Sequence, residues 1–94
     1  MEHELKTWPM FFNETLKGTK RFEVRRYDRN FKVGDTLILK EYDGKYDKEA
    51  RAIKGEYTGR QTTVHVDYIM TGYNWGIRHD FCVMSISMRD ITTP

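Results

Sequence analysis

The sequence has little cysteine and no long apolar run, and both shortages limit what the protein can be. Cys82 is the single cysteine in 94 residues, so an intramolecular disulfide is impossible and the reducing cytoplasm is the expected location. No stretch approaches the roughly 18 to 20 apolar residues that a membrane-spanning helix needs. The start of the chain carries Glu2, Glu4 and Lys6 in place of an apolar segment. We therefore expect neither an export signal nor a membrane partner.

A strong net charge is also missing, although charge is distributed unevenly. Sixteen Lys and Arg residues oppose fourteen Asp and Glu residues, and the resulting +2 does not by itself indicate nucleic-acid binding. Residues 20–32, however, hold six basic side chains against two acidic ones, a local balance of +4. Residues 41–49 hold four acids against two lysines. The molecule is therefore expected to be electrically polarised.

Residues 1–94 are expected to form a single domain, because a chain of this length supplies apolar side chains for only one core. One short helix is predicted from about Pro9 to Lys17. Proline suits the first helical position, Phe12 and Leu16 lie four residues apart on one face, and Gly18 suits a left-handed cap at the end.

Strands are predicted from period-two alternation and from apolar runs, giving about five in all. The clearest is Gln61 to Thr71, where Val64, Val66, Tyr68 and Met70 form a largely apolar face. The others are His3 to Thr7, a strand beginning near Phe22, a well-buried central strand from Thr36 to Tyr42, and Phe81 to Met88. The hydrophilic interval Tyr42 to Gly59 is interpreted as a long loop or a hairpin.

These elements favour a mostly β, α+β fold. Five twisted strands in so short a chain most economically close into a small mixed barrel, with the one helix covering an open end. In the strand near Phe22, alternation is expected to turn Phe22 and Val24 toward the core and to place Glu23 with Arg25 on the opposite face.

The basic segment is the main candidate for ligand binding. Its cations are Lys20, Arg21, Arg25, Arg26, Arg29 and Lys32. Arginine presents a planar fork that matches phosphate or a base edge, although charge on a strand edge also protects against aggregation. Because Glu23 and Arg25 project from one face, Glu23 can orient Arg25 or Lys20 while the remaining donors meet a ligand. The same arrangement also occurs in purely structural salt bridges.

Aromatic side chains are the candidates for stacking on bases. They are Trp8, Tyr27, Tyr73 and Trp75, of which Trp75, in the glycine-flanked segment 72–76, is the strongest. No metal or cofactor is predicted, because His79 and Cys82 have a three-residue spacing but zinc usually needs four ligands. Cys82 alternates into an apolar face, which indicates a buried hydrophobic side chain and not a nucleophile.

Gly18, Lys20, Glu23 and Arg25 fit the GxKxxExR pattern of the ASCH domain. Over nearly its whole length, the chain resembles the small bacterial and phage branch of that group, DUF3850. The segments that carry this resemblance are 3–7, 22–25, 28–29, 31–35 and 57–60. It implies a PUA-like β-barrel with a cleft under its helix, and an association with RNA binding. It also implies that Lys20, Glu23 and Arg25 line the cleft, with Lys6 as an addition.

Three functions follow as hypotheses. The leading one is an RNA- or nucleotide-binding module whose site residues are Lys6, Lys20, Glu23, Arg25, Arg26, Arg29 and Trp75. The alternative is an enzyme, because some ASCH-like relatives are similar to small amidohydrolases that release acyl groups from modified cytidine. A third is a protein-binding module that uses Glu41 to Glu49 or the Trp75 loop. The sequence indicates neither the oligomeric state nor the base that is bound.

In the enzyme hypothesis Lys20 is the nucleophile or base and Glu23 assists proton transfer. Those relatives carry a threonine where this chain has Glu23, and a salt bridge to Glu23 would hold Lys20 as an ammonium. The catalytic residues of the relatives therefore do not transfer unchanged, and the sequence favours binding over catalysis.

Overall fold

The computed structural model describes residues 1–72 and 75–88. In chain order they form β1 (Glu2–Thr7), α1 (Pro9–Lys17), β2 (Phe22–Arg26), β3 (Thr36–Asp47), β4 (Ala52–Thr71) and β5 (Phe81–Ser87). The prediction of a mostly β fold with five strands and one helix is confirmed. α1 has nine residues, and within the described part of the chain no helix has the length and apolar content of a membrane span.

The strands form one mixed sheet in the order β1-β3-β4-β5-β2, in which β1 is parallel to β3 and the other pairs are antiparallel. β1 and β2 are its edges, and within residues 1–72 and 75–88 no ladder joins them, so the sheet is not closed into the predicted barrel. Side chains bridge the edges instead. Arg25 Nη2 donates to Thr7 Oγ1, and Arg29 Nη1 donates to the Glu4 carbonyl, each at 3.3 Å. Arginine side chains thus connect β1 with the β2 region, where a closed barrel would have backbone hydrogen bonds between the two strands.

α1 connects the two edge strands and has the predicted bounds. Pro9 occupies the first turn, and Gly18 follows the helix with φ of 81°, a conformation that glycine adopts without a steric penalty. The Gly18 amide donates to the Thr15 carbonyl at 3.0 Å and so closes the last turn. Phe12 and Thr15 are buried, whereas Leu16 stays exposed, so the contact face is narrower than the apolar spacing indicates.

The core lies against the central strands β3, β4 and β5. Its buried side chains are Leu5, Phe31, Leu37, Leu39, Val64, Val66, Cys82, Met84 and Ile86. The well-buried central strand and the buried cysteine are thereby confirmed. Tyr68, by contrast, is 65% exposed, because a register shift between Val66 and Tyr68 interrupts the predicted apolar face of β4.

β3 and β4 continue past the end of β1 as a two-stranded ribbon, residues 42–57, which we call the hairpin arm. The hydrophilic interval is therefore a hairpin and not a loop. The arm pairs Tyr42 with Tyr57, Gly44 with Gly55 and Tyr46 with Ile53. Since directly paired and alternate residues share a face, these three pairs lie on one face, and charged residues occupy most of the other.

Candidate functional site

The inner face of β2 is charged, opposite to the face that the sequence predicts. Glu23 is 2% exposed and pairs across the ladder with the fully buried Met84. Phe22 and Val24, expected in the core, are 47% and 50% exposed. The prediction was wrong because alternation shows which residues share a face but not which face turns inward. A buried carboxylate is stable only when it is paired, and two cations pair with Glu23.

Lys20 and Arg25 occupy both oxygens of the Glu23 carboxylate. Lys20 Nζ donates to Glu23 Oε2 at 2.5 Å and to the Phe22 carbonyl at 2.6 Å. Arg25 Nε donates to Glu23 Oε1 at 2.8 Å. Arg25 also reaches Thr7 on β1, so the cluster joins the two edges of the sheet. Two cations on one carboxylate leave a single net positive charge here.

Both cations keep donors for a ligand. An ammonium has three N–H groups and a guanidinium five, and within the described residues two of each are hydrogen-bonded. The side chains of Lys20 and Arg25 are 13% and 24% exposed, so solvent reaches them through a restricted opening. Glu23 therefore fixes their orientation and leaves donors available.

That opening is a cleft of about 570 Å³ between α1, the end of β1 and the start of β2. Its volume is typical of pockets that bury a small molecule, roughly 300 to 1,000 Å³. The cleft is lined by Lys20, Glu23 and Arg25, by the aromatic side chains of Trp8, Phe11 and Phe22, and by Lys6 among others. It thus combines flat apolar surfaces with oriented cations.

Lys6 borders the cleft on the side of the hairpin arm. Its Nζ lies 4.5 Å from the ring centroid of Tyr42 and 5.9 Å from that of Tyr57. No carboxylate of the described residues forms an ion pair with Lys6. Among the described residues, Lys6 therefore adds a cation to the cleft that is not tied up in an ion pair.

Three other predicted site residues lie outside the cleft. Arg26 is opposite Phe81 in the ladder, at the far end of β2, and pairs with Asp80 at 3.0 Å. Arg29 follows β2, and Trp75 lies in the β4–β5 connection with 70% of its surface exposed. None of the three lines the cleft. Their role in binding stays a prediction.

The two remaining aromatic candidates differ in what is known of them. Tyr27 donates from its hydroxyl to the Phe31 carbonyl at 3.0 Å, which ties it to the segment before β3. Tyr73 lies outside the described residues.

Within the described residues, no three His, Cys, Asp or Glu side chains are grouped so that they could hold a metal ion. Burial raises the pKa of the Cys82 thiol above its usual value, which opposes formation of a nucleophilic thiolate.

An ion pair between the buried Glu41 and the half-exposed Arg60, which the sequence did not single out, fixes α1 on the sheet. Arg60 donates to both oxygens of Glu41, at 2.9 and 2.8 Å, and to Asn13 Oδ1 of α1 at 2.8 Å. Its guanidinium also lies 4.9 Å from the ring centroid of Phe12. Hydrogen bonds from Arg60 and Thr58 lower the pKa of Glu41 from 4.5 to about 2. This pair positions the helix that forms one side of the cleft.

Sequence reasoning also missed Phe11 and Phe22 as lining residues and Tyr42 and Tyr57 as neighbours of Lys6. A signal existed for Phe11, because Phe11 and Phe12 are consecutive and one helical face cannot bury both. Phe11 is 43% exposed, and it lines the cleft. For the tyrosines the contact arises from the register of the arm, which composition does not encode.

Comparison with known proteins shows a family match and a similar phage protein. The family described as "Domain of unknown function (DUF3850)" matches residues 2–86. The chain is also similar to the "Uncharacterized 12.9 kDa protein in GpA 3'region" of Escherichia phage P2, with 34% identity over 73 residues. That match covers 78% of this chain and 58% of the phage protein, so the chain spans less than two thirds of that relative. Neither description names an activity or a ligand.

Proposed function

The chain belongs to the DUF3850 family, whose description leaves its activity open, and from the cleft of this member we propose an RNA- or nucleotide-binding module. One observation supports the proposal above all. A buried Glu23 orients Lys20 and Arg25 at a cleft that three aromatic side chains also line. Oriented cations suit phosphate or a base carbonyl, and aromatic faces suit a base.

The dimensions of the cleft favour a single unpaired nucleotide over a duplex. A volume of about 570 Å³ accommodates one small molecule between α1 and the sheet edges. Sequence-tolerant recognition of single strands commonly combines stacking on aromatic side chains with a basic groove. In this proposal Trp8, Phe11 or Phe22 contacts the base, while Arg25 and Lys6 contact its phosphates or edge.

The proposal includes membership of the ASCH group within the PUA-like superfamily. The support is that the four pattern residues have connected physical roles here. Gly18 ends α1 in a left-handed conformation, and Lys20, Glu23 and Arg25 form the charged cluster directly after it. The GxKxxExR spacing is therefore the spacing needed to end a helix and begin this cluster.

Two neighbouring arginines offer a matched test. Arg25→Ala removes a cation of the cleft, whereas Arg26→Ala removes one at the other end of β2. We expect Arg25→Ala to weaken binding of a fluorescent mixed-sequence hexaribonucleotide at low salt at least several-fold, and Arg26→Ala to change it much less. Circular dichroism checks that both variants fold, and Lys6→Ala supplies a second, exposed cleft variant. Absence of RNA and nucleotide affinity in the unmodified protein, or equal losses in the two arginine variants, contradicts the proposal.

The second candidate is amidohydrolysis of an acylated nucleoside such as N4-acetylcytidine. The observation in its favour is that a buried carboxylate and an amine lie 2.5 Å apart beside a cleft of nucleoside size. Against it, Lys20 Nζ forms a salt bridge with Glu23 and also donates to the Phe22 carbonyl, and nucleophilic attack would require breaking this salt bridge. Incubation with N4-acetylcytidine followed by chromatography tests this candidate. Cytidine release that Lys20→Met abolishes would favour the enzyme, and no release would exclude this substrate.

A further inference from the structure

The hairpin arm presents an aromatic face that its own fold leaves open. Tyr46, Ile53 and Tyr57 are 63%, 51% and 48% exposed, and the register places them on one face. Between them lie Gly44 and Gly55, where an added Cβ on Gly55 would collide with the Gly44 Cα. The arm therefore has a flat, close-packed middle flanked by exposed rings and an isoleucine.

This face is continuous with the cleft. A second hollow of about 210 Å³ is lined by Lys6, Thr7, Trp8, Tyr42 and Ile53. The first three of these residues also line the cleft, so the two hollows meet at the end of β1. A chain leaving the cleft past Lys6 would therefore reach the aromatic face of the arm.

Two lysines flank this part of the arm. Lys40 Nζ lies 4.8 Å from the ring centroid of Tyr57, and Lys6 Nζ lies 5.9 Å from it. Lys40 also has an ion pair with Glu4 at 3.2 Å, on side chains that are exposed by 31% and 65%. Such an exposed pair is weak, so an anionic ligand can compete for Lys40.

We propose that the aromatic face of the arm is a second nucleotide subsite. A base adjacent to the one in the cleft stacks on Tyr57, and the connecting phosphate contacts Lys6 and Lys40. This inference rests on the proposed function and extends it from a mononucleotide pocket to a site for a single-stranded oligonucleotide. Nucleic acid fits this surface better than a protein does, because exposed rings between two lysines suit bases joined by phosphates.

The test compares a ligand that reaches both subsites with one that fills only the cleft. Binding of a mixed-sequence hexaribonucleotide and of a nucleoside monophosphate is measured for the unmodified protein, Tyr57→Ala and Tyr57→Phe. Tyr68→Ala is the matched control, because Tyr68 lies on the same strand and is 65% exposed, but is outside the hairpin arm and pairs with Ser85 of β5. Tyr57→Leu keeps an apolar side chain against Tyr42 in case alanine disturbs the arm.

Tyr57→Ala and Tyr57→Leu are expected to weaken hexanucleotide binding roughly five- to hundredfold, the range for loss of one stacked base. Tyr57→Phe and Tyr68→Ala should stay within about twofold of the unmodified protein, and monophosphate affinity should be unchanged in all variants. Hexanucleotide affinity that Tyr57→Leu does not alter overturns the second subsite and leaves the proposed function intact. Equal loss for both ligands also overturns it. If the unmodified protein binds neither ligand, the proposed function itself fails.

Discussion

Replacing Glu23 by glutamine tests whether the charged inner face of β2 is as tightly organised as its geometry indicates. Glu23 accepts one hydrogen bond from Lys20 and one from Arg25, each from a charged donor. Such bonds contribute about 1.5 to 3 kcal/mol each. Glutamine keeps one acceptor oxygen, but its amide group then faces the other cation. Glu23→Gln therefore loses at least one charge-assisted bond and leaves two cations without a counter-charge.

The expected loss of stability is about 2 to 3 kcal/mol. Breaking a fully buried ion pair costs about 3 to 5 kcal/mol. The loss expected for Glu23→Gln is smaller than this, because the side chains of Lys20 and Arg25 are 13% and 24% exposed and are therefore partly hydrated. For a domain of this size the loss corresponds to a fall in Tm of roughly 10 to 20 °C.

Urea unfolding followed by circular dichroism measures this difference. Glu49→Gln is the matched control, because Glu49 is exposed in the turn of the hairpin arm and its carboxylate has no hydrogen bond within the described residues. If Glu23→Gln is destabilised no more than Glu49→Gln, Glu23 does not hold the two cations as described, and the reasoning for an organised cleft is refuted.

The same contacts also determine the acid stability of the protein, the salt dependence of RNA binding and the reactivity of Cys82. First, the pKa of Glu41 is about 2 in the folded protein and 4.5 ordinarily, so the unfolded state binds the proton more tightly. The free energy of unfolding should therefore fall as the pH drops from about 5 to 2. In urea unfolding at a series of acidic pH values, Glu41→Gln should show a smaller fall. Second, if only Lys6, Lys20 and Arg25 meet single-stranded phosphates, the logarithm of RNA affinity should fall with the logarithm of salt concentration at a slope of about 2, from 0.7 per phosphate; a slope near 3.5 would indicate five contacts and a wider interface. Third, Cys82 is fully buried with a raised thiol pKa, so alkylation should be slow until urea unfolds the protein, and rapid native labelling would contradict its place in the core.

Elements with strong local signals could be predicted from the sequence. α1 has the expected bounds because Pro9 and Gly18 impose a conformation that depends on few neighbours. The central strand and the buried Cys82 were predictable because a run of apolar residues is usually buried in the core. The hairpin arm was recognised only as one of two interpretations, since its charged face conceals the alternating Tyr and Ile residues.

The orientation of β2 could not be predicted from its own residues. The first four residues of β2 alternate between apolar and charged, which satisfies two opposite arrangements, and hydrophobicity alone selects the wrong one. What decides is that Lys20 lies outside the strand and still reaches Glu23, which makes burial of the carboxylate favourable. This stabilisation of Glu23 depends on how the chain folds around the strand, so the alternation of residues within β2 does not reveal it.

The candidate site was predictable in part for a related reason. Lys20, Glu23, Arg25 and Lys6 do line one cleft, as the resemblance implied. Arg26 belongs to the same basic segment but lies at the other end of β2, beside Asp80. A count of charges along the chain does not show which of these residues lie in the cleft and which lie at the other end of the strand or in the turn after it.

Binding of a nucleotide in the cleft beneath α1 can be followed directly through the two tryptophans. Trp8 lines the cleft, whereas Trp75 is 70% exposed in the β4–β5 connection and does not. Their indole N–H signals can be followed separately by NMR during titration with a mixed-sequence hexaribonucleotide, after assignment with a Trp75→Phe variant. If the cleft is the binding site, the Trp8 signal shifts saturably and the Trp75 signal moves little. A shift of Trp75 with Trp8 unchanged, or no shift of either, would contradict it.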